Sequence, residues 1–192
     1  MNSSKGRIRI IGGEYRSRLL RVAARPGLRP TPDRVRETLF NWLGQDLSGA
    51  ACLDLFAGSG ALGFEAASRG AARVVLIESD RAALKTLEES RIALGAAQVE
   101  IIGGDAGDYL ERARERFDVV FLDPPFRQNA VPRLLALLPP VLRAGARVYA
   151  ESERPVQAQP GWRELKRSRA GGVSYQLFEW GKNDSSDLPR NV

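Results

Sequence analysis

Asp123-Pro-Pro-Phe126 follows the apolar run Val119-Val-Phe-Leu122 and is the stretch of this sequence best equipped for chemistry. Pro124 and Pro125 stiffen the loop through their fixed φ and offer no N–H donors. The strand end therefore presents acceptors, the Asp123 carboxylate and the Pro124 carbonyl, with Phe126 adding an aromatic face. Acceptors in a rigid row beside a stacking ring suit the exocyclic amine of a planar base swung out of its stack. Such a nitrogen has its lone pair conjugated into the ring and is a poor nucleophile. Two acceptors on its hydrogens turn the lone pair toward an incoming electrophile, and positioning then supplies most of the rate.

The electrophile's binding place is legible upstream. The run Ala51, Cys52, Leu53, Leu55, Phe56 reads as a buried strand. It breaks into Gly58-Ser59-Gly60, where the backbone can turn sharply and a ligand can press against it. A helix opens at Ala61, so its free N–H groups face that turn, the arrangement of a nucleotide-type site. Gly58, Gly60 and Gly63 also satisfy the dinucleotide pattern G-x-G-x-x-G, which leaves NAD open. Asp54 leans the other way. An acid just before the turn repels a pyrophosphate but attracts the ammonium of S-adenosylmethionine.

Acids recur at the ends of the expected strands: Asp54, Glu78, Asp105 and Asp123. In an open α/β sheet ligands bind at those carboxyl ends. Glu78 follows Gly60 by 18 residues, near the spacing at which an acid meets a ribose diol. Asp105 in Gly103-Gly-Asp-Ala106 is placed for an adenine amino group, although Asp80 and Asp105 could equally be caps of the next helices.

Positioning these groups requires a regular frame. Strands are expected at 51–56, 72–78, 98–102, 117–122 and 146–151, with helices at 60–69, 80–94, 106–115 and 129–138. That alternation implies right-handed crossovers and a mostly parallel sheet with helices on both faces. Residues 162–169 and 173–180 read as an antiparallel hairpin closing one edge, and 183–192 as a disordered tail. Upstream, 7–11 and 18–22 form a hairpin whose arginines alternate with Ile8 and Ile10. A Pro/Gly loop runs from 23 to 30. Thr31 is the expected N-cap of a helix with Pro32 in its first position and a core face of Val35, Leu39, Phe40 and Leu43.

At 192 residues, with 43% hydrophobic and 27% charged, the chain reads as one globular domain with a small appendage. No apolar run approaches a membrane span, and the N-terminus has no apolar signal core, so a cytoplasmic protein is expected. One cysteine and no histidine leave no means for a disulfide, a zinc site or a histidine-based triad. Charge is uneven: residues 1–36 carry ten Lys/Arg against Glu14 and Asp33, while the whole chain is only +6. A basic arm on a nearly neutral domain is the footprint of a polyanion binder.

With its residues set out, Asp54-Leu-Phe-Ala-Gly-Ser-Gly-Ala-Leu-Gly63 together with Asp123-Pro-Pro-Phe126 resembles the class I, S-adenosylmethionine-dependent amino-methyltransferases. Arg9-Ile-Ile-Gly-Gly13 and the segment from Arg29 through Arg34 and Arg36 to Leu43 are similar to the bacterial small-subunit ribosomal RNA guanine-N2 methyltransferases of the D type. The resemblance implies a Rossmann-like fold and S-adenosyl-L-methionine as cofactor. Asp54, Phe56, Ala57, Gly58, Ser59 and Gly60 would cradle its methionine moiety. Glu78 and Ser79 would hold the ribose, and Asp105 with Ala106 the adenine. Asp123, Pro124, Pro125 and Phe126 would hold the guanine. Arg7, Arg9, Arg16, Arg18, Arg29, Arg34 and Arg36 would bind 16S ribosomal RNA in an assembled or partly assembled small subunit, the first four gripping its phosphates and the Arg29–Arg36 region lying near both cofactor and substrate. The implied division is a basic hairpin and loop at 1–30, a methyltransferase domain at 31–182 and the tail, in a monomer that needs no metal.

Three rival readings remain. A DNA adenine-N6 methyltransferase can use the same four residues, but 192 residues leave no room for a separate target-recognition domain. A non-catalytic RNA-binding protein on the same fold leaves the acids at all four strand ends without a role. An NAD-dependent dehydrogenase leaves Asp-Pro-Pro-Phe unexplained.

Overall fold

Apolar runs that alternate with helical stretches assemble into one central sheet, as the sequence predicts. The structure is a computed structural model and describes residues 6–23, 31–125 and 130–181. Two short strands come first, β1 (Arg7–Arg9) and β2 (Leu19–Arg21), paired antiparallel with Ile8 opposite Leu20. Helix α1 (Asp33–Leu43) leads to β3 (Ala51–Asp54), α2 (Ala61–Ser68), β4 (Arg73–Glu78), α3 (Arg81–Leu94) and β5 (Val99–Gly103). Then follow α4 (Ala106–Arg112), β6 (Phe117–Leu122), α5 (Ala130–Leu137), a 3-10 turn at Pro139–Val141 and the long β7 (Leu142–Ser152). Strands β8 (Trp162–Ala170) and β9 (Val173–Trp180) complete a seven-stranded sheet in the order β5-β4-β3-β6-β7-β9-β8. Strands β3 to β7 run parallel, and β9 returns antiparallel between β7 and β8.

Both faces of the sheet are covered, and the period-2 alternation of the strands decides which side chain goes where. Cys52, Val74, Leu76, Val119 and Phe121 pack with α1, α2 and α3. Leu53, Val75, Ile77, Val120 and Leu122 point the other way, toward α4 and α5. The N-terminal hairpin belongs to the first face, since Ile8, Ile10, Tyr15 and Leu20 are buried in that core. Among the described residues, no helix is long and apolar enough to cross a membrane.

Several boundaries differ from expectation. Strand β3 stops at Asp54 rather than 56, because the Asp54 side chain accepts from the Phe56 N–H and starts the turn. Helix α4 ends at Arg112, not 115, and Ala113 is already extended. Strand β7 begins at Leu142 rather than 146. Its pairing with β6 jumps from Phe117–Leu142 to Val119–Arg147, and Gly145, at φ +77°, accommodates the surplus residues as a bulge. The loop at 24–30, Arg29 included, Phe126 and the tail lie outside the described residues.

Candidate active site

The chain leaves β3 for β4 on one side and reaches β6 on the other, so β3 and β6 flank the switch point of the sheet. Asp54 pairs with Phe121 across that seam, which brings Asp54 and Asp123 to one end of the sheet. The glycine turn follows β3 and leans on the end of β4, where the Ala57 N–H bonds the Ile77 carbonyl at 2.9 Å. The Gly60 N–H bonds the Ala57 carbonyl at 2.6 Å, and Gly58 and Gly60 take φ of +52° and +76°. A side chain at Gly60 would also collide with Phe64 and Leu87 at under 3 Å. Gly63 has a different role, because a Cβ there would lie 2.1 Å from Leu76. Its absence lets α2 approach β4, and the Gly63 N–H donates to Asp54 at 3.2 Å.

Asp54 is 2% exposed and pairs with no cation among the described residues. Burial, with the nearby Glu78 charge adding to it, pushes its carboxyl up to about 7. A buried acid awaiting a cation, beside a turn opened by Gly58 and Gly60, fits the amino group of S-adenosylmethionine. Glu78 closes the other side of the turn, accepting from Gly58 N–H through Oε2 and from Ser79 and Asp80 N–H through Oε1, each at 2.8 Å. Carboxylate oxygens accept more than one hydrogen bond, so ribose hydroxyls can join them. Asp80 and Asp105 cap α3 and α4, Asp105 through Oδ1 on the Gly107 and Asp108 N–H groups. Ala106 is buried behind it.

On the β6 side of the seam, Asp123 meets two residues that the strand-end series above does not include. The Thr31 hydroxyl lies 3.3 Å from Asp123 Oδ2 and 3.1 Å from Glu151 Oε1, and the Tyr149 hydroxyl donates to the same Glu151 oxygen at 2.7 Å. Thr31 is therefore not the N-cap of α1. That place falls to Pro32, with no side-chain cap bond, and Thr31 is drawn instead into the acid pair. Burial, the adjacent Glu151 and the Asp54 charge together raise Asp123 well above the ordinary carboxylate range. Burial raises Glu151 too, but two hydroxyl donors oppose the rise. Cys52 is buried with its thiol pushed up to about 12, which makes it no nucleophile.

These raised acids set a sign for stability. Each has a folded pKa above its unfolded one, so its contribution is full below about pH 4 and is lost as pH rises through the folded value. The midpoint of thermal unfolding of the free protein should therefore fall as pH rises from 5 to about 7, the value to which Asp54 is raised. Asp54→Asn should flatten that decline; an unchanged slope would remove Asp54 as its source.

The arginines divide. Arg7, Arg9, Arg16, Arg18 and Arg34 are exposed, with Arg9 near Asp33 and Arg18 donating to the Ala93 carbonyl at the end of α3. Arg36 is different and corrects the expectation that it grips RNA. It is 0% exposed, donates to Asp33 and to the Arg9 carbonyl, and faces the equally buried Glu65 at 3.6 Å. Glu65 in turn receives the Ile11 and Gly12 N–H groups at 2.8 Å each. Ser68 accepts from Tyr15 N–H at 2.8 Å, and Gly13 sits so close that a Cβ would lie 1.8 Å from the Ser68 carbonyl oxygen. The basic hairpin is thus bolted to α2, the helix that opens at the glycine turn. Helix spacing carried a signal for this: Arg36 precedes the core residues Leu39 and Phe40 by three and four positions, and Glu65 is the lone acid of an otherwise apolar helix.

A glycine turn at the switch point, an uncompensated acid beside it and an acceptor row at the neighbouring strand end define a class I methyltransferase. Comparison with known proteins narrows this. Residues 8–179 match the family described as conserved hypothetical protein 95, and the chain belongs to that family. It is 44% identical to Ribosomal RNA small subunit methyltransferase D of Escherichia coli strain K12, over 97% of this chain and 96% of that one. The protein of the same description from Haemophilus influenzae is 42% identical over 92% and 96%. The solved structure of Escherichia coli yhhF is similar at a TM-score of 0.84 and 44% identity, covering 92% of this chain and 99% of that one. That of HI0767 from Haemophilus influenzae gives 0.80 at 38%, covering 92% and 100%.

Proposed function

We propose that this protein methylates the exocyclic N2 of a guanine in 16S ribosomal RNA, using S-adenosyl-L-methionine. The reading further places it in the cytoplasm, as a monomer acting on an assembled or partly assembled small subunit. The observation that carries the reading is the placement of Asp123 and Pro124 at the end of β6, the strand paired with β3, at the same end of the sheet as Asp54. The description of the Escherichia coli and Haemophilus influenzae relatives supports the RNA substrate.

Bound in the turn, the cofactor supplies an electrophilic methyl on a sulfonium. Asp54 would pair with its ammonium, the Gly58–Gly60 backbone would lie against its methionine portion, Glu78 would hold the ribose, and Asp105 and Ala106 would border the adenine. Asp123 and the Pro124 carbonyl accept the two N2 hydrogens and fix the lone pair toward the methyl. As the nitrogen takes the methyl it must lose a proton, and Asp123 is placed to accept it. A raised pKa makes Asp123 the stronger base. Phe126 would stack on the ring, and Arg7, Arg9, Arg16, Arg18, Arg29 and Arg34 would hold phosphates.

Cofactor binding should be pH-dependent. Affinity should rise as Asp54 ionises through about pH 7 and fall again as the ligand's α-amino group, near 7.7–8.0, loses its charge. Calorimetry across pH 5.5–8.5 tests it; a flat profile would contradict the Asp54–ammonium pair. Reversing Arg7 and Arg9 to Glu should weaken RNA binding and shallow its salt dependence, because each lost phosphate contact removes about 0.7–0.9 from the log–log slope. An unchanged slope would place the RNA elsewhere.

The substrate is tested by transfer of labelled methyl, in parallel, to small subunits lacking modification, to naked 16S RNA and to DNA. Label in either RNA arm supports the reading and identifies the assembly state. Label only in DNA overturns the substrate.

A further inference from the structure

We propose that Glu151 reads the N1–H of the target base and so makes this site select guanine over adenine; the inference rests on the N2-methylation reading above. Leu122 pairs with Ala150 across β6 and β7, so Asp123 and Glu151 leave adjacent strand ends side by side. Thr31 ties their two carboxyls together, and Tyr149 fixes Glu151 from below through the same oxygen, Oε1. Glu151 also lines a cavity of about 250 Å³, together with Ser152, Glu153 and Arg154 on one side and Pro124, Pro125, Ala130 and Val131 on the other. That volume is just below the roughly 300–1,000 Å³ of drug-sized ligand sites, a space suited to a single base.

The chemistry of the two purines decides what such a cavity accepts. Guanine presents N1–H and N2–H₂ as adjacent donors on its Watson–Crick edge. Adenine presents one amine beside a bare N1 acceptor. Asp123 and Pro124 occupy the amine hydrogens in either case, so they cannot tell the bases apart. Glu151 can. The Thr31 and Tyr149 hydroxyls converge on its Oε1, which leaves Oε2 as an acceptor for a base edge. A guanine N1–H meets that acceptor as a donor, whereas an adenine N1 turns a lone pair toward it. Two acidic groups so close are an unfavourable arrangement in the free protein, and the run of donors on guanine's edge relieves it.

The test substitutes 2-aminopurine, which keeps the N2 amine but has a bare N1, for the guanine that the wild-type protein methylates in small-subunit RNA. Wild type should lose about 10- to 100-fold in kcat/KM on that substrate, the scale of one well-made base contact. Glu151→Gln, whose amide can donate to a bare N1, should lower transfer to guanine and bring the two substrates to parity or invert them, with S-adenosylmethionine affinity unchanged. A merely structural role for Glu151 would lower both substrates alike, and that result would overturn the proposal. So would a wild-type protein that treats guanine and 2-aminopurine equally, a measurement that needs no variant. If wild type forms no N2-methylguanosine at all, the N2-methylation reading itself fails and this inference falls with it.

Discussion

Asp123→Ala should lower methyl transfer by at least ~100-fold, the scale for removing one preorganised polar group from a reacting centre. The loss should fall on kcat, because Asp123 acts on the amine as it reacts, and S-adenosylmethionine affinity should hold. Stability supplies the control. Asp123 and Glu151 crowd each other beside Thr31, and burial penalises both charges. Removing one acid relieves that conflict, so the variant should unfold at the same temperature as wild type or higher. Lost activity in a protein of undiminished stability cannot be ascribed to misfolding. Undiminished turnover would remove Asp123 from the chemistry.

Glu65→Ala should produce the largest loss of stability. The substitution leaves the Arg36 guanidinium, 0% exposed, with Asp33 as its one remaining acid, takes Glu65 from Arg69 and orphans the Ile11 and Gly12 N–H groups. Breaking a buried pair from one side costs about 3–5 kcal/mol. Against a total of roughly 5–15 kcal/mol for a domain, that is a large share. At about 2–4 °C per kcal/mol for a chain of this size, the midpoint of thermal unfolding should drop by on the order of 10 °C. Pairing the change with Arg36→Met should recover much of the loss, since an apolar side chain in that place leaves no charge to compensate. If the double variant is no more stable than the single one, the pair is not what anchors the hairpin.

The frame of the protein was legible because the central strands β3, β4 and β6 are apolar on both faces and bounded by turn residues, so β6 falls at 117–122 as its pattern predicts. The four strand-end acids were legible by the same rule, since a charge directly after a buried run has few other places to be. Glu151 obeys that rule as well, ending the expected strand at 146–151, but no neighbouring motif singles it out. Thr31 was misread because Thr-Pro is a local capping signal. A contact with Asp123, 92 residues away, overrides it, and no local pattern encodes that distance. Arg36 was misread for a related reason. Charge counting assigns an arginine to the basic arm, whereas helix spacing places it under Leu39 and Phe40, and its partner Glu65 lies on another helix. The bulge at the start of β7 depends on Gly145 at positive φ, a conformation chosen by pairing with β6.

The most direct measurement is the mass and fragmentation of the methylated nucleoside released from small-subunit RNA after reaction with the wild-type protein and labelled S-adenosylmethionine. N2-methylguanosine, absent from a parallel reaction with Asp123→Ala, is the expected result. Label recovered instead as N6-methyladenosine, or on a ring carbon, would contradict an acceptor row built for the guanine amine.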